Sequence, residues 1–153
     1  MSEKCIFIGQ GPKVHLTKTA DAAITPGMLC ELTATGVRKH ATAGGAAYPM
    51  FAGQNYASDN GNTIDDDCPI GEEANLEVCS PGVIVNALIA DNENIAIGDF
   101  LESNGDGKLR EVDADPSVGT VVTNSVVAVA IEALDLTGSS GEEPTNRCKV
   151  MVV

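Results

Sequence analysis

A chain of 153 residues with 43% hydrophobic and 20% charged side chains carries enough apolar material for a packed core and too little charge to stay unfolded. Its formal charge of −13, from 22 acidic against nine basic residues, opposes binding to nucleic-acid phosphates or to an anionic membrane surface. Aromatic residues make up 3% and Trp is absent, so little is available for stacking bases.

In chain order, the apolar stretch Cys5-Ile6-Phe7-Ile8 stops at Gly9, too short for a signal peptide. Gly9-Gln10-Gly11-Pro12 is Gly-rich, but Pro12 removes an N–H that a phosphate nest needs, so it reads as a kink. Residues 1–20 are expected to form an extended N-terminal arm, free in isolation, with 21–153 as one β core. The Ala-rich piece around Asp21 allows one helical turn at most. Leu76 to Cys79, the Pro81-Gly82 turn and Val83 to Ile89 predict a hairpin. Phe100-Leu101-Glu102, then Asn104-Gly105-Asp106-Gly107, then Lys108 to Val112 predict a second, on strong Asn-Gly and Asp-Gly turn chemistry. Val126 to Leu134 and Cys148 to Val153 read as further strands. Segments 53–73 and 135–146 are polar and Gly-rich and read as loops. Sixteen Gly and seven Pro, spread along the chain, cut it into short Val-, Ile- and Thr-rich segments. The predicted class is all-β: a small antiparallel barrel or sandwich, of β-tulip or jelly-roll type, with long loops.

The sequence also echoes itself. Ile24-Thr25-Pro26-Gly27-Met28-Leu29-Cys30-Glu31 lies over Ile95-Ala96-Ile97-Gly98-Asp99-Phe100-Leu101-Glu102 at an offset of 71, and Ile, Gly and Glu coincide. A second Gly follows five residues on in each copy (Gly36 and Gly107), then basic residues (Arg38 and Lys39; Lys108 and Arg110). Phe51-Ala52-Gly53-Gln54 resembles Val129-Ala130-Ile131-Glu132. Duplication and chance recurrence of turn chemistry are both open; duplication implies two half-units sharing one core.

Chemistry-bearing patterns are thin. His15 and His40 lack the context of a nucleophilic triad, and no P-loop, G-x-S-x-G or H-E-x-x-H occurs. Cysteines 5, 30, 68, 79 and 148 have neither zinc spacing nor an even count, and are expected to be free and buried in a reducing compartment. Glu102, Asn104, Asp106, Gly107 and Asp113 mimic an EF-hand loop, but the same residues make a tight turn, and the turn is the favoured reading. Asp65-Asp66-Asp67 with Asp59 read as a solvated loop, since neighbouring carboxylates on an extended chain diverge. No catalytic, metal or cofactor site is assigned. Between Lys39 and Lys108 there is no Lys or Arg, which suggests an acidic middle facing outward and basic ends facing a partner.

Segments 24–40, 50–57 and 95–134, with their Ile-x-x-Gly openings at Ile24 and Ile95, the Gly107-Lys108-Leu109 hairpin return and the strand Val127-Ala128-Val129-Ala130-Ile131-Glu132-Ala133, resemble the decoration (cement) proteins of tailed-bacteriophage heads. The resemblance implies a non-enzymatic virion protein without a cofactor, made in the host cytoplasm. It further implies a homo-oligomer, trimeric rather than dimeric, seated on the capsid exterior and stabilising contacts between major capsid proteins. Within that reading the arm residues Lys4, Phe7, Lys13 and Lys18 are the expected partner-binding set, and deleting residues 2–18 is expected to spare the fold. The alternatives are a carbohydrate-binding or tail-fibre β module, with Tyr48, Phe51 and Tyr56 as its face, and a small β-barrel hydrolase using Asp and Glu with His40 as base.

Overall fold

The computed structural model describes residues 6–8, 11–54, 63–112, 125–139 and 146–153. Among them are twelve strands and no helix: β1 (Lys13–Thr19), β2 (Cys30–Leu32), β3 (Val37–Lys39), β4 (Met50–Ala52), β5 (Glu73–Cys79), β6 (Ile84–Leu88), β7 (Asn94–Ile95), β8 (Phe100–Ser103), β9 (Leu109–Glu111), β10 (Ala128–Ala130), β11 (Leu134–Asp135) and β12 (Arg147–Val152). The strands pair antiparallel in sheets β1-β5-β4, β6-β12-β10-β8-β9, β7-β11 and β2-β3, and none of these sheets closes into a barrel. The all-β expectation holds, on the sandwich side.

The sequence echo is a structural repeat. A bridge between Leu29 and Phe51 places the β2–β3 hairpin beside β4. The first half therefore runs β1-β5-β4-β2-β3, and the second half runs β6-β12-β10-β8-β9 in the same order. Individual bonds coincide. Gly27 N–H donates to Ala52 O and Gly98 N–H to Ala130 O, both at 2.8 Å. Ala52 N–H returns to Met28 O at 3.0 Å, and Ala130 N–H to Asp99 O at 2.9 Å. Gly53 N–H meets Asn75 O as Ile131 N–H meets Lys149 O. Ile24 pairs with Cys68 in the first half, as Ile95 pairs with Leu134 in the second. Glu31 opposes Arg38 across one hairpin and Glu102 opposes Arg110 across the other, each joined side chain to side chain. Turn chemistry explains why the echo survives in sequence: Gly27 and Gly98 sit at φ +90° and +95°, where a side chain is strained.

The halves do not have separate cores. The larger apolar cluster joins Val83, Val85, Leu101, Leu109, Ala128, Val150 and Val152 of the second half to Leu29, Phe51 and Cys79 of the first. A smaller one collects Ile24, Met28, Val37, Met50, Leu76 and Leu88. Burying a side chain such as Phe51 or Leu101 contributes about 1.5–3 kcal/mol, so the shared cluster dominates cohesion.

Three expectations change. Leu76–Cys79 and Val83–Ile89 are not a hairpin: β5 has β1 and β4 on its two edges, so the Pro81-Gly82 turn delivers the chain to β12 instead, with Gly82 N–H on Val152 O. The described part of the N-terminal arm is extended but not free. Phe7 bridges Val85, and β1 pairs with β5 along its whole length, Lys13 with Cys79 through Thr19 with Glu73. Removing residues 2–18 would therefore strip a sheet edge. The piece around Asp21 is not helical, because Ala20 pairs with Val37 and Ile24 with Cys68. Within segment 63–72, Ile64 and Cys68 are buried.

A Cβ on Gly27 would collide with the Arg147 guanidinium and lie 2.8 Å from Asn86 O, whereas one on Gly98 would meet nothing within 4 Å. Gly98→Ala is thus expected to lose about 1 kcal/mol from backbone strain alone, and Gly27→Ala about 3 kcal/mol or more from strain plus overlap. Urea denaturation of the two variants checks this; equal losses would show that the two turns sit in equivalent surroundings.

Candidate functional site

Among the described residues, the arrangement that most resembles catalytic machinery is closed. His40, at the end of β3, places Nδ1 2.7 Å from Ser103 Oγ, with Nε2 3.3 Å from Ala46 O and 3.8 Å from Glu31 Oε2. A Ser–His–Glu line is a nucleophile–base–orienter order. Ser103, however, is 0% exposed, and its Oγ already accepts the Gly105 N–H at 3.1 Å. A substrate carbonyl has no approach. The cluster instead fastens the halves together, beside Gly44 N–H on Ser103 O, Gly107 N–H on His40 O and Leu29 N–H on Gly107 O.

Acidic positions are similarly committed. Glu102 takes Nε and Nη2 of Arg110 at 3.0 and 2.8 Å, and Asp106 caps the Lys108 N–H, so 102–108 is a turn with Gly105 and Gly107 at positive φ. Asp113 lies outside the described residues. Asp65, Asp66 and Asp67 diverge: Asp65 faces Arg147 at 3.5 Å, Asp66 accepts from Thr63 N–H and Oγ1, and Asp67 accepts from Thr25 Oγ1. Asp59 is likewise outside the described residues. Among the described residues no group of three or more His, Cys, Asp or Glu is placed to hold a metal ion.

Burial raises all four described thiols. Desolvation, aided by Glu77, pushes Cys79 up to about 12, and desolvation with Glu132 takes Cys148 to about 11; Cys30 and Cys68 are also raised by burial. Protonated thiols are poor nucleophiles. A Cys5→Ser chain at pH 8 is therefore expected to show no fast-reacting thiol toward a disulfide reagent when native and four when denatured. Rapid labelling in the native state would refute this.

The predicted contact set is only partly assembled. Phe7 and Lys13 come together, with Nζ 5.9 Å from the ring centroid. Phe7 also packs against the main cluster. Lys18 lies five residues beyond Lys13 on β1, so the two lysines project to opposite faces of the strand. Lys4 lies outside the described residues. Of the six other basic side chains, five already face acidic ones. Arg38 pairs with Glu31, Lys108 with Asp91, Arg110 with Glu102, Arg147 with Asp65 and Lys149 with Glu132. The aromatic trio does not form a face: Phe51 is core, the Tyr48 hydroxyl accepts the Leu32 N–H at 2.9 Å, and Tyr56 lies outside the described residues.

What the surface does offer is apolar. On the outside of the second sheet, Ile84, Met151, Val129 and Phe100 stand opposite one another across four consecutive strands. Phe100 is 56% exposed, and Ile97, in the turn before it, is 71% exposed. In the first half, Val14, Leu32 and Tyr48 are exposed. Ile97 and Phe100 stand where the first copy has Pro26 and Leu29, both of which are buried. Overlaying the two copies is the one sequence operation that singles them out, and it needs the environment of the first copy to be known.

Removing the Ser103 hydroxyl tests the polar seam. Ser103→Ala leaves a buried His40 nitrogen without its partner and is expected to cost about 1–3 kcal/mol in chemical denaturation. A neutral result would remove the fastening role.

No family model and no curated protein matches this sequence. Among solved structures, the chain is similar to the head fiber gp8.5 N base in bacteriophage phi29, with a TM-score of 0.54 and 16% identity over 93% of this chain and 95% of that one. The likeness is one of fold.

Proposed function

We propose that this chain is a non-enzymatic structural protein of a phage virion, one that binds the major capsid protein on the head exterior and stabilises contacts between capsid subunits. The observation that carries the reading is the fold likeness over nearly the whole of both chains to a protein described as a phage head fiber base. The closed Ser103–His40 pair and the committed carboxylates fit a protein whose work is to bind and bear load. The buried, protonated thiols suit synthesis in the reducing cytoplasm of a bacterial host.

The mechanism is thermodynamic. A protein that binds the assembled shell and not its separated subunits adds RT ln(1 + [L]/Kd) per site, about 2.7 kcal/mol at a hundredfold excess over Kd. Summed over many sites, this opposes the internal pressure of packaged DNA. A homo-oligomer, a trimer in this reading, engages several sites at once and gains avidity without new contacts.

Lys13 with Phe7, and Lys18 on the opposite face of β1, are the proposed capsid contacts, together with Lys4. Because β1 is structural, the test uses substitution rather than truncation. Purified protein is expected to co-sediment at micromolar concentration with expanded, undecorated heads, and Lys13→Glu with Lys18→Glu to weaken that binding about tenfold at low salt. Failure of the native chain to co-sediment sinks the capsid reading. Unaltered binding by the charge-reversed chain moves the contact away from β1.

A further inference from the structure

The repeat has two outer strands, β6 and β1, and only one of them has its free edge filled. In the second half, residues 6–8 lie antiparallel along the outside of β6. Phe7 bridges Val85, Ile8 N–H donates to Ile84 O at 2.9 Å, and Asn86 N–H donates to Ile6 O at 2.7 Å. Beside this added segment Val85 is 0% and Asn86 6% exposed. The pairing registers carry β6 onto β1. Ala130 opposes Val150 as Ala52 opposes Leu76, and Val150 and Leu76 in turn oppose Val85 and Leu16. Ile84 and Asn86 therefore correspond to His15 and Thr17. The next contact along each strand agrees, since Ile89 bridges Leu109 in parallel and its copy Ala20 bridges Val37 in parallel.

On β1 the corresponding edge is bare. Ser80 N–H donates to Pro12 O and Ala20 N–H to Glu72 O, so the even-numbered residues of this stretch turn their backbone groups toward β5. Lys13, His15 and Thr17 turn theirs outward, and among the described residues those groups have no backbone partner. Six of the seven β1 residues are exposed, and Leu16 is half-buried against the smaller apolar cluster. An open edge of this kind is a template for a further strand. Charge narrows what fits it. On a chain of −13, β1 carries Lys13, His15 and Lys18 and no acid. Glu77 is taken by His15 at 3.2 Å, and neither lysine makes an ion pair among the described residues. Two copies of β1 laid side by side would bring four lysines onto one ribbon, two from each. Residues 6–8 of a second copy are already committed to their own β6.

We propose that β1 is a docking edge for an extended segment of another protein, added antiparallel along residues 13–18, with an apolar residue near its centre and an acidic residue at each end. The apolar residue takes the place beside Leu16 that Phe7 holds beside Val85, and the acidic ends meet Lys18 and Lys13. The filled edge fixes the bonding. The segment donates to His15 O and accepts from Thr17 N–H, as Ile8 and Ile6 do with Ile84 and Asn86. Main-chain bonds supply the affinity and the neighbouring side chains the selection. The edge is defined without reference to a capsid, and the docking stands whether or not the segment belongs to one.

The test titrates an end-blocked hexapeptide, Glu-Thr-Ile-Thr-Val-Glu, into the full isotope-labelled chain at low salt, followed by NMR. Its Ile falls opposite Leu16, and its two Glu opposite Lys18 and Lys13. At saturation, hydrogen exchange of the Thr17 amide is expected to slow at least about tenfold, while the Leu16 and Lys18 amides, bonded to β5, are slow with or without peptide. Lys13→Glu with Lys18→Glu is expected to weaken binding about tenfold. A peptide N-methylated at its second Thr keeps every charge but loses the N–H aimed at His15 O, and is expected to bind at least about tenfold more weakly. This arm alters nothing in the chain, so it decides the matter should the charge-reversed variant fail to fold. Undisturbed β1 amides at millimolar peptide overturn the proposal. So does equal binding of the methylated peptide, which would mark charge attraction without strand addition. A Thr17 amide already protected in the chain alone, with a sedimenting mass above monomer, would give the edge to a second copy and overturn it as well.

Discussion

The constraint on which the structure depends is that neither half can close its own core. A five-strand layer has two faces, and in the first half both are apolar: Met50, Leu76 and Val37 on one side, Leu29 and Phe51 on the other. A strand buried on both faces needs cover from both directions. The second half supplies one cover, with Val85, Leu101 and Val150 packed on Leu29 and Phe51. The chain is therefore not two beads on a string but one layer stacked on its own copy. This is why the main cluster draws residues from both halves.

Stacking apolar faces fixes proximity but not register, and the polar seam supplies register. Arg147, 7% exposed, leaves β12 to donate to the Pro26 and Ile64 carbonyls of the first half. His40 meets Ser103, and Gly107 exchanges backbone bonds with His40 and Leu29. These groups are buried, so breaking any one leaves a donor or acceptor unsatisfied, at a cost larger than the bond's net contribution. A slip of one half against the other would orphan several at once. The seam thus disfavours alternative stackings that the apolar faces alone would permit, and it explains why Gly27, beneath Arg147 and Asn86, has no room for a side chain while its copy Gly98 does.

How much of this was legible in the sequence follows from how local each feature is. The 100–112 hairpin is set by Asn104-Gly105-Asp106-Gly107, whose glycines take φ of +91° and +84°, and so it reads directly. The repeat reads because Gly27 and Gly98 answer the same local demand, and Glu31–Arg38 and Glu102–Arg110 the same cross-strand pairing. The partner of β5 does not read: Pro81-Gly82 makes a turn, but whether the next strand folds back depends on β1 and β4 having occupied both edges. The docking of β1 is equally non-local, since Lys13-Val14-His15-Leu16-Thr17-Lys18-Thr19 is polar enough to pass for a solvated arm. Of the expected contact residues, spacing alone separates Lys13 from Lys18 once the segment is known to be a strand. Phe100 and Ile97 could not be told from core, because apolarity states that a face will be covered and not by what.

That last point bears on how the two copies have diverged. A duplicated layer inherits, in each copy, the faces that suited the other. Internally the face bearing Leu29 and Phe51 is covered; its copy, bearing Phe100 and Val129, keeps its apolar character on the outside. Replacing Ile97, Phe100 and Val153 by polar residues would make a better isolated monomer, as the polar surface elsewhere on this acidic chain shows is feasible. They stand on a chain whose charge of −13 holds non-specific encounters apart, so an apolar patch is tolerated there without general aggregation.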